Sequence, residues 1–336
     1  MTWRRRPRRD QRARPRRDSG TDRGAIQGPR RDPGTGLTGV PRLSPVTWRP
    51  GGIDAAVEQW RLVRDGELIV TPSSRLLPVT HHGRPAMLKV PLVHEEALGG
   101  QLLAAWDGAG CAAVFAGDDH AIVLERATGG RDLASLTRAG DDLGAVAILC
   151  SALATLHAAI PTPAPTDTGD AIAELPTLRR WFRELLADDA SALGSLLGDP
   201  ASAAFLERGR ELAGRLLDTT TPADVVVLHG DLHHLNVLEF APGDWRAIDP
   251  KGIIGHRAFD ATAMFSNPDP ATARNPQLFT ERAGLVSRSL GLSRTALLEW
   301  AIARSALSAV WSLQDGLLDD ARATVELGRL AEDGLR

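Results

Sequence analysis

The apolar pattern of this chain changes character twice. Up to about residue 45 there is no periodic run of hydrophobic side chains. From about Val46 short alternating stretches begin. Segments 67–71, 75–80 and 85–90 read as strands, punctuated by Asp65-Gly66 and His82-Gly83. Residues 95–106 carry Leu98, Leu102 and Leu103 at helical spacing, and 110–115 and 120–125 read as two further strands. This predicts a small antiparallel sheet with one inserted helix. Past Gly129-Gly130 the period lengthens, predicting helices over 143–157, 175–186, 201–217, 277–290 and 295–313, with a Pro/Thr/Asp loop over 161–170. One β-branched burst, Val225-Val226-Val227-Leu228, enters a polar loop. The expectation is an α+β fold with a β-rich N-terminal lobe over 37–127 and a larger helical C-terminal lobe over 128–336.

Composition narrows this. The chain has 336 residues, 43% hydrophobic and 24% charged, which suits a globular protein and excludes collagen-like and disulfide-rich classes. No run of eighteen apolar residues is present, so no membrane span is expected. Cys111 and Cys150 are too few for a disulfide framework and point to a reducing, cytoplasmic setting. Residues 1–32 hold twelve Arg against four Asp, whereas 128–336 hold nineteen basic and twenty-eight acidic side chains. Segment 1–36 has too little apolar surface to offset the entropy of ordering and is expected to be a disordered tail without a secretory h-region. The acidic remainder favours a cationic or neutral partner over nucleic acid.

The chemistry concentrates in His229-Gly-Asp-Leu-His-His-Leu-Asn236 and in Ile248-Asp-Pro-Lys-Gly252. Two loops hung on paired strands would present Asp231, Asn236 and Asp249 to one cleft. A carboxylate that orients and deprotonates a hydroxyl, with oxygen ligands for Mg²⁺, is the set that phosphoryl transfer uses. Lysine usage points the same way: against thirty-seven arginines there are only Lys89 and Lys251, and an ammonium is not interchangeable with a guanidinium.

The H-G-D-L-H-x-x-N stretch followed by I-D-P-K-G resembles the aminoglycoside phosphotransferases of protein-kinase-like fold, most of all their streptomycin 6-phosphotransferase and hydroxyurea phosphotransferase branch. The resemblance spans about 46–315. It implies a two-lobe fold, with ATP and Mg²⁺ as cofactors and a hydroxylated, cationic antibiotic as acceptor. By residue it implies Asp231 as catalytic base and Asn236 and Asp249 as metal ligands. Lys89 is implied on the phosphates, oriented by Glu95 or Glu96, and Leu124-Glu125-Arg126 as the hinge that reads adenine. His229 and Asp260 are implied to brace the catalytic loop. Lys251 falls in the metal-binding loop, toward either phosphate or solvent. Three departures from the family pattern stand out: Leu235 where glycine commonly precedes the Asn, Gly99-Gly100 inside the inserted helix, and Thr71-Pro-Ser-Ser74 in place of a glycine-rich phosphate loop.

Two other classes fit parts of the pattern. His229, Asp231, His233 and His234 have the look of a zinc metallohydrolase cluster, with His256, Asp249 or Asp260 as further ligands. A non-catalytic nucleotide-binding module is the third. Acceptor contacts are expected from the region of the last helices, with Trp300, Trp311 and Asp315 as candidates.

Overall fold

A computed structural model describes residues 50–160, 172, 174–187 and 190–336. The Arg-rich tail, the start of the expected N-terminal lobe and the 161–170 loop lie outside the described residues.

The N-terminal part begins with helix α1 (Ile53–Gln59), followed by β1 (Val63–Arg64), β2 (Ile69–Val70), β3 (Ser74–His81) and β4 (Arg84–Pro91). Helix α2 (His94–Trp106) then precedes β5 (Val114–Gly117) and β6 (Ile122–Glu125). All pairings are antiparallel, in the order β1-β3-β4-β6-β5, with β2 also on β3. The β3–β4 hairpin closes at His81↔Arg84, with His82 and Gly83 both at positive φ, as a two-residue turn matched to strand twist requires. Leu77, Val79, Ala86, Leu88, Val90 and Val123 are buried and form a small core on one face. Two expectations shift here. The 67–71 strand shrinks to Ile69–Val70. The 110–115 strand starts only at Val114, because Gly110 and Ala112 pair instead with Ala247 of the other lobe (2.8 and 2.9 Å).

The C-terminal part contains α3 (Leu133–Arg138), α4 (Asp142–Ala159), the short turns α5 (Leu178–Trp181) and α6 (Arg183–Leu186), and α7 (Pro200–Thr219). Strands β7 (Val225–Leu228), β8 (Val237–Ala241), β9 (Asp244–Ala247) and β10 (Ile253–His256) follow, then α8 (Arg257–Ala261), α9 (Pro276–Leu290), α10 (Arg294–Gln314) and α11 (Leu318–Asp333). The single helix expected over 175–186 is broken at Phe182, which is wholly buried against Phe259 and Trp300. Helix α11 was not expected. Its inward face is Ala321, Val325, Leu327, Gly328 and Ala331, and small side chains give a weak apolar signal. Helix α4 is long and apolar enough to cross a membrane by length and composition. Here Val146, Leu149, Leu153 and Leu156 bury that surface in the main core.

Helix α2 belongs to the sheet lobe by sequence, but Leu98, Leu102, Leu103 and Trp106 join the large C-terminal core. Gly99 permits the approach: a Cβ there would stand 2.3 Å from the Pro250 carbonyl oxygen. The unexpected glycine inside α2 therefore has a packing cause.

Candidate functional site

Pairing among the four C-terminal strands builds the site. β7 pairs with β10 and β8 with β9, so the loop from β7 to β8 and the loop from β9 to β10 emerge side by side. Backbone bonds from Ile248 N to Asn236 O (2.9 Å) and from Lys251 N to His229 O (2.7 Å) tie the two loops together. Asp231, Asn236 and Asp249 are thereby held in one neighbourhood.

The first loop is braced from beneath. Asp260, fully buried on α8, accepts the amides of His229 (2.8 Å) and Gly230 (2.7 Å) and bonds His157 Nε2 (2.9 Å). Burial opposes ionisation of Asp260, but the His157 hydrogen bond and the neighbouring histidines hold its carboxyl below the usual range. The His229 ring bonds the Ile248 carbonyl through Nε2 (2.9 Å) and accepts the Asp231 amide on Nδ1 (3.3 Å). Gly230 sits at φ +85°, with Ile253 and Lys251 close against it, a conformation and a clearance that a side chain would violate. Leu235 is absent from the positive-φ residues, so the loop has no need of glycine there.

Asp231 is the one carboxylate of this loop. Arg304, on α10, reaches its Oδ1 (2.9 Å), and His233 Nε2 lies 3.5 Å from Oδ2. Burial pushes the Asp231 carboxyl up, but the His233 hydrogen bond and the Arg304 charge outweigh it and hold the group well below the usual carboxylate range. Asn236 donates its Nδ2 to the Asp231 backbone carbonyl (2.9 Å), which leaves its side-chain oxygen as an acceptor.

Asp249 adopts φ +60°, the left-handed region that Asp tolerates better than most residues. Its Oδ1 accepts Lys89 Nζ (2.5 Å), and Lys89 also pairs with Glu96 Oε2. Lys251 reaches the other oxygen of the same glutamate, Glu96 Oε1 (2.7 Å). Both lysines of the chain thus meet on one carboxylate. Burial opposes the charge on Lys89, Lys251 and Asp249, but mutual attraction prevails: both ammonium groups are pushed up and the Asp249 carboxyl is pushed well down. The open choice of partner for Lys89 resolves to Glu96. Glu95 has no bond to it; half-buried one position earlier, its carboxyl is pushed up by burial, with the negative charges of Glu96, Asp249 and Asp231 adding to the effect.

On the expected hinge, Glu125 pairs with Arg246 (2.8 Å) and Arg126 with Asp65. Leu124 is buried in the core. The Glu125 and Arg126 amides are engaged by Ala113 O (2.8 Å) and Pro85 O (3.3 Å). Ala127 carries the next amide along the segment. Thr71 and Ser74 close their turn on each other (2.9 Å), and Ser74 Oγ points to Glu96 (3.4 Å), so hydroxyl bonds fix a turn that usually relies on glycine.

Two expectations are corrected. The zinc cluster does not assemble: His229 is engaged at both nitrogens and His234 is fully buried. Among the described residues no group of three or more His, Cys, Asp or Glu could hold a metal. Trp300 is 1% exposed and packs between Phe182 and Phe259, which removes it from acceptor contact. Arg304 is the residue that sequence reasoning missed, although it is the sole charged side chain between Glu299 and Asp315.

A family profile described as aminoglycoside/hydroxyurea antibiotic resistance kinase matches residues 59–316. The chain belongs to this family. It is a small-molecule kinase with the two-lobe protein-kinase-like fold. It is 40% identical over 278 residues to a streptomycin 3''-kinase of Klebsiella pneumoniae, covering 81% of this chain and 96% of that protein. It is 30% identical over 275 residues to a streptomycin 6-kinase of Streptomyces griseus, covering 80% and 84%. In fold it is similar to the aminoglycoside phosphotransferase APH(4)-Ia, solved with AMP-PNP and hygromycin B (TM-score 0.58, 16% identity, covering 84% of this chain and 98% of that one).

Proposed function

We propose that this kinase transfers the terminal phosphoryl group of ATP to streptomycin, at the 3''-hydroxyl. The observation that carries the reading is the charge network in which Lys89, Lys251 and Asp249 converge with Glu96 beside a loop bearing an ionised Asp231. Lys89 would exchange Asp249 for phosphate oxygens when nucleotide enters. Lys251 keeps Glu96 in place and adds positive charge beside the phosphates. The hard-oxygen donors Asp249 and the side-chain oxygen of Asn236 fit Mg²⁺. Bound there, Mg²⁺ supplies charge that offsets the phosphate oxygens. The adenine-facing backbone is the 124–127 segment, with the amide of Ala127 in place of those of Glu125 and Arg126.

In the transfer, the acceptor oxygen forms a bond to phosphorus while the terminal anhydride bond breaks and ADP leaves. Asp231 takes the hydroxyl proton. The acceptor face is argued from α10. Arg304, Ser308 and Trp311 are half-buried positions of α10, Asp315 is exposed just past its end, and the four follow one helical face from Asp231 outward, a span of about 16 Å. Trp181 stands edge-on to Trp311 (5.6 Å), and Gln314 binds Glu184 (3.1 Å). Aromatic edges and carboxylates, with Glu95 across the cleft, suit a cationic sugar.

The 3'' position rests on the greater identity to the 3''-kinase than to the 6-kinase. The test incubates purified protein with Mg-ATP and streptomycin, or hydroxyurea as a competing acceptor, and locates the phosphate by mass spectrometry and NMR. Streptomycin 3''-phosphate is expected. Phosphorylation at position 6, or of hydroxyurea alone, would overturn the acceptor assignment.

A further inference from the structure

The deepest polar reach of α10 into the site is Arg304, in a stretch otherwise built from Ala, Leu, Ile, Val, Trp and Ser. Its guanidinium touches two points of the catalytic loop: Nη2 donates to Asp231 Oδ1 (2.9 Å) and Nη1 to the Gly230 carbonyl (3.3 Å). Beneath it lies the ring of Phe259, 5.4 Å from the guanidinium carbon. Phe259 is itself buried and packed edge-on by Phe182 and Trp300 (5.6 and 5.9 Å). The next residue, Asp260, holds the amides of His229 and Gly230. Short helix α8 therefore fixes the loop twice, directly through Asp260 and indirectly by supporting Arg304.

The other carboxylate oxygen faces a lighter contact. His233 accepts the Leu235 amide on Nδ1 (3.1 Å), and its Nε2 lies 3.5 Å from Asp231 Oδ2 and 3.4 Å from Asn236 Nδ2. Oδ1 is occupied by a fixed fork, while Oδ2 is the oxygen with room for an incoming hydroxyl. His229 and His233 on the same loop, Arg304 on α10 and Glu95 on α2 are the charged or titratable groups that face Asp231.

We infer that Arg304 is a positioning residue for phosphotransfer, clamping the Gly230 peptide and Asp231 Oδ1 so that Oδ2 meets the acceptor hydroxyl. The inference rests on Asp231 being the base. A planar fork can span a carbonyl and a carboxylate at once, whereas an ammonium is a point charge on a flexible stem. A tenth-of-a-nanometre misplacement of a base is enough to lose a large part of the rate.

The test is a double-mutant cycle on the full chain with Mg-ATP and streptomycin, measuring turnover, nucleotide KM and ATP hydrolysis without acceptor. Arg304→Gln is expected to lower phosphotransfer turnover about a hundredfold while nucleotide KM stays within about twofold. Hydrolysis to water, which needs no oriented acceptor, falls less. Arg304→Lys folds with the charge kept and is expected to recover only part of the loss. In the Asp231→Asn background, Arg304→Gln should add less than about a twofold further loss, because the group it positions is already gone. Near wild-type turnover of Arg304→Gln, full recovery by Arg304→Lys, or the same fold-loss in both backgrounds would overturn the inference. Wild-type turnover of Asp231→Asn alone would instead sink the base assignment on which it rests.

Discussion

The two carboxylates of the site are held by different cations in different ways. Asp249 meets Lys89 from the sheet lobe, which shares Glu96 with Lys251. Asp231 meets Arg304 and His233, both from the C-terminal part, and Arg304 is backed by a buried aromatic ring. In a chain that uses arginine almost throughout, both lysines stand in the first group and none in the second. The difference is physical. A compact ammonium can leave a carboxylate for a phosphate oxygen without rebuilding its surroundings, whereas a guanidinium fork fixes a geometry that must not move. The nucleotide side is built to exchange partners and the acceptor side to hold still.

The largest effect that could break this contrast is on the base itself. Asp231→Asn should lower streptomycin phosphorylation by roughly 10³-fold with the isosteric side chain in place, measured as initial rates. Next come the charge-preserving exchanges: Lys89→Arg and Lys251→Arg should each raise nucleotide KM by about tenfold while acceptor KM stays constant. A KM change confined to acceptor would contradict the assignment of the lysines to the nucleotide side. Gly99→Ala places a Cβ against the Pro250 carbonyl, so thermal unfolding should show a loss of about 1–3 kcal/mol, accompanied by weaker nucleotide binding because Pro250 adjoins Asp249.

The smallest effect is on acid stability. Burial opposes ionisation of Asp142, but Arg282 outweighs it and holds the carboxyl below its usual range, as the histidines do for Asp260. A depressed carboxylate contributes stability that is complete above its unfolded value and is lost as pH falls through the folded one. Melting temperature should therefore be level through neutral pH and drop below the ordinary carboxylate range. Arg282→Met should flatten that drop relative to wild type.

Much of this arrangement is legible in sequence because the decisive groups sit on short loops with fixed spacing. Asp231, Asn236 and Asp249 come together because β7–β10 and β8–β9 pair crosswise, and the apolar anchors Leu228, Val237 and Ala247 already mark those strand ends. Helices α4, α7, α9 and α10 announce themselves through long apolar stripes. What could not be read depends on three-dimensional partners. Glu96 rather than Glu95 faces Lys89 because α2 packs its leucines into the C-terminal core, which sets the rotation of the helix. Gly110 and Ala112 look like strand residues, and they do pair, but with Ala247 rather than with the sheet. Arg304 lies 73 positions from Asp231, with no local pattern connecting them. Trp300 is the converse: a large aromatic in a suggestive helix that closes the core instead of meeting a ligand.

Calorimetric titration of Mg-nucleotide against wild type, Asp231→Asn and Asp249→Asn tests the division between the two carboxylates most directly. Asp231→Asn is predicted to bind within about threefold of wild type while its turnover falls by roughly 10³-fold, and Asp249→Asn to lose at least about tenfold in affinity. Equal loss of nucleotide binding in both variants, or full affinity in Asp249→Asn, would contradict it.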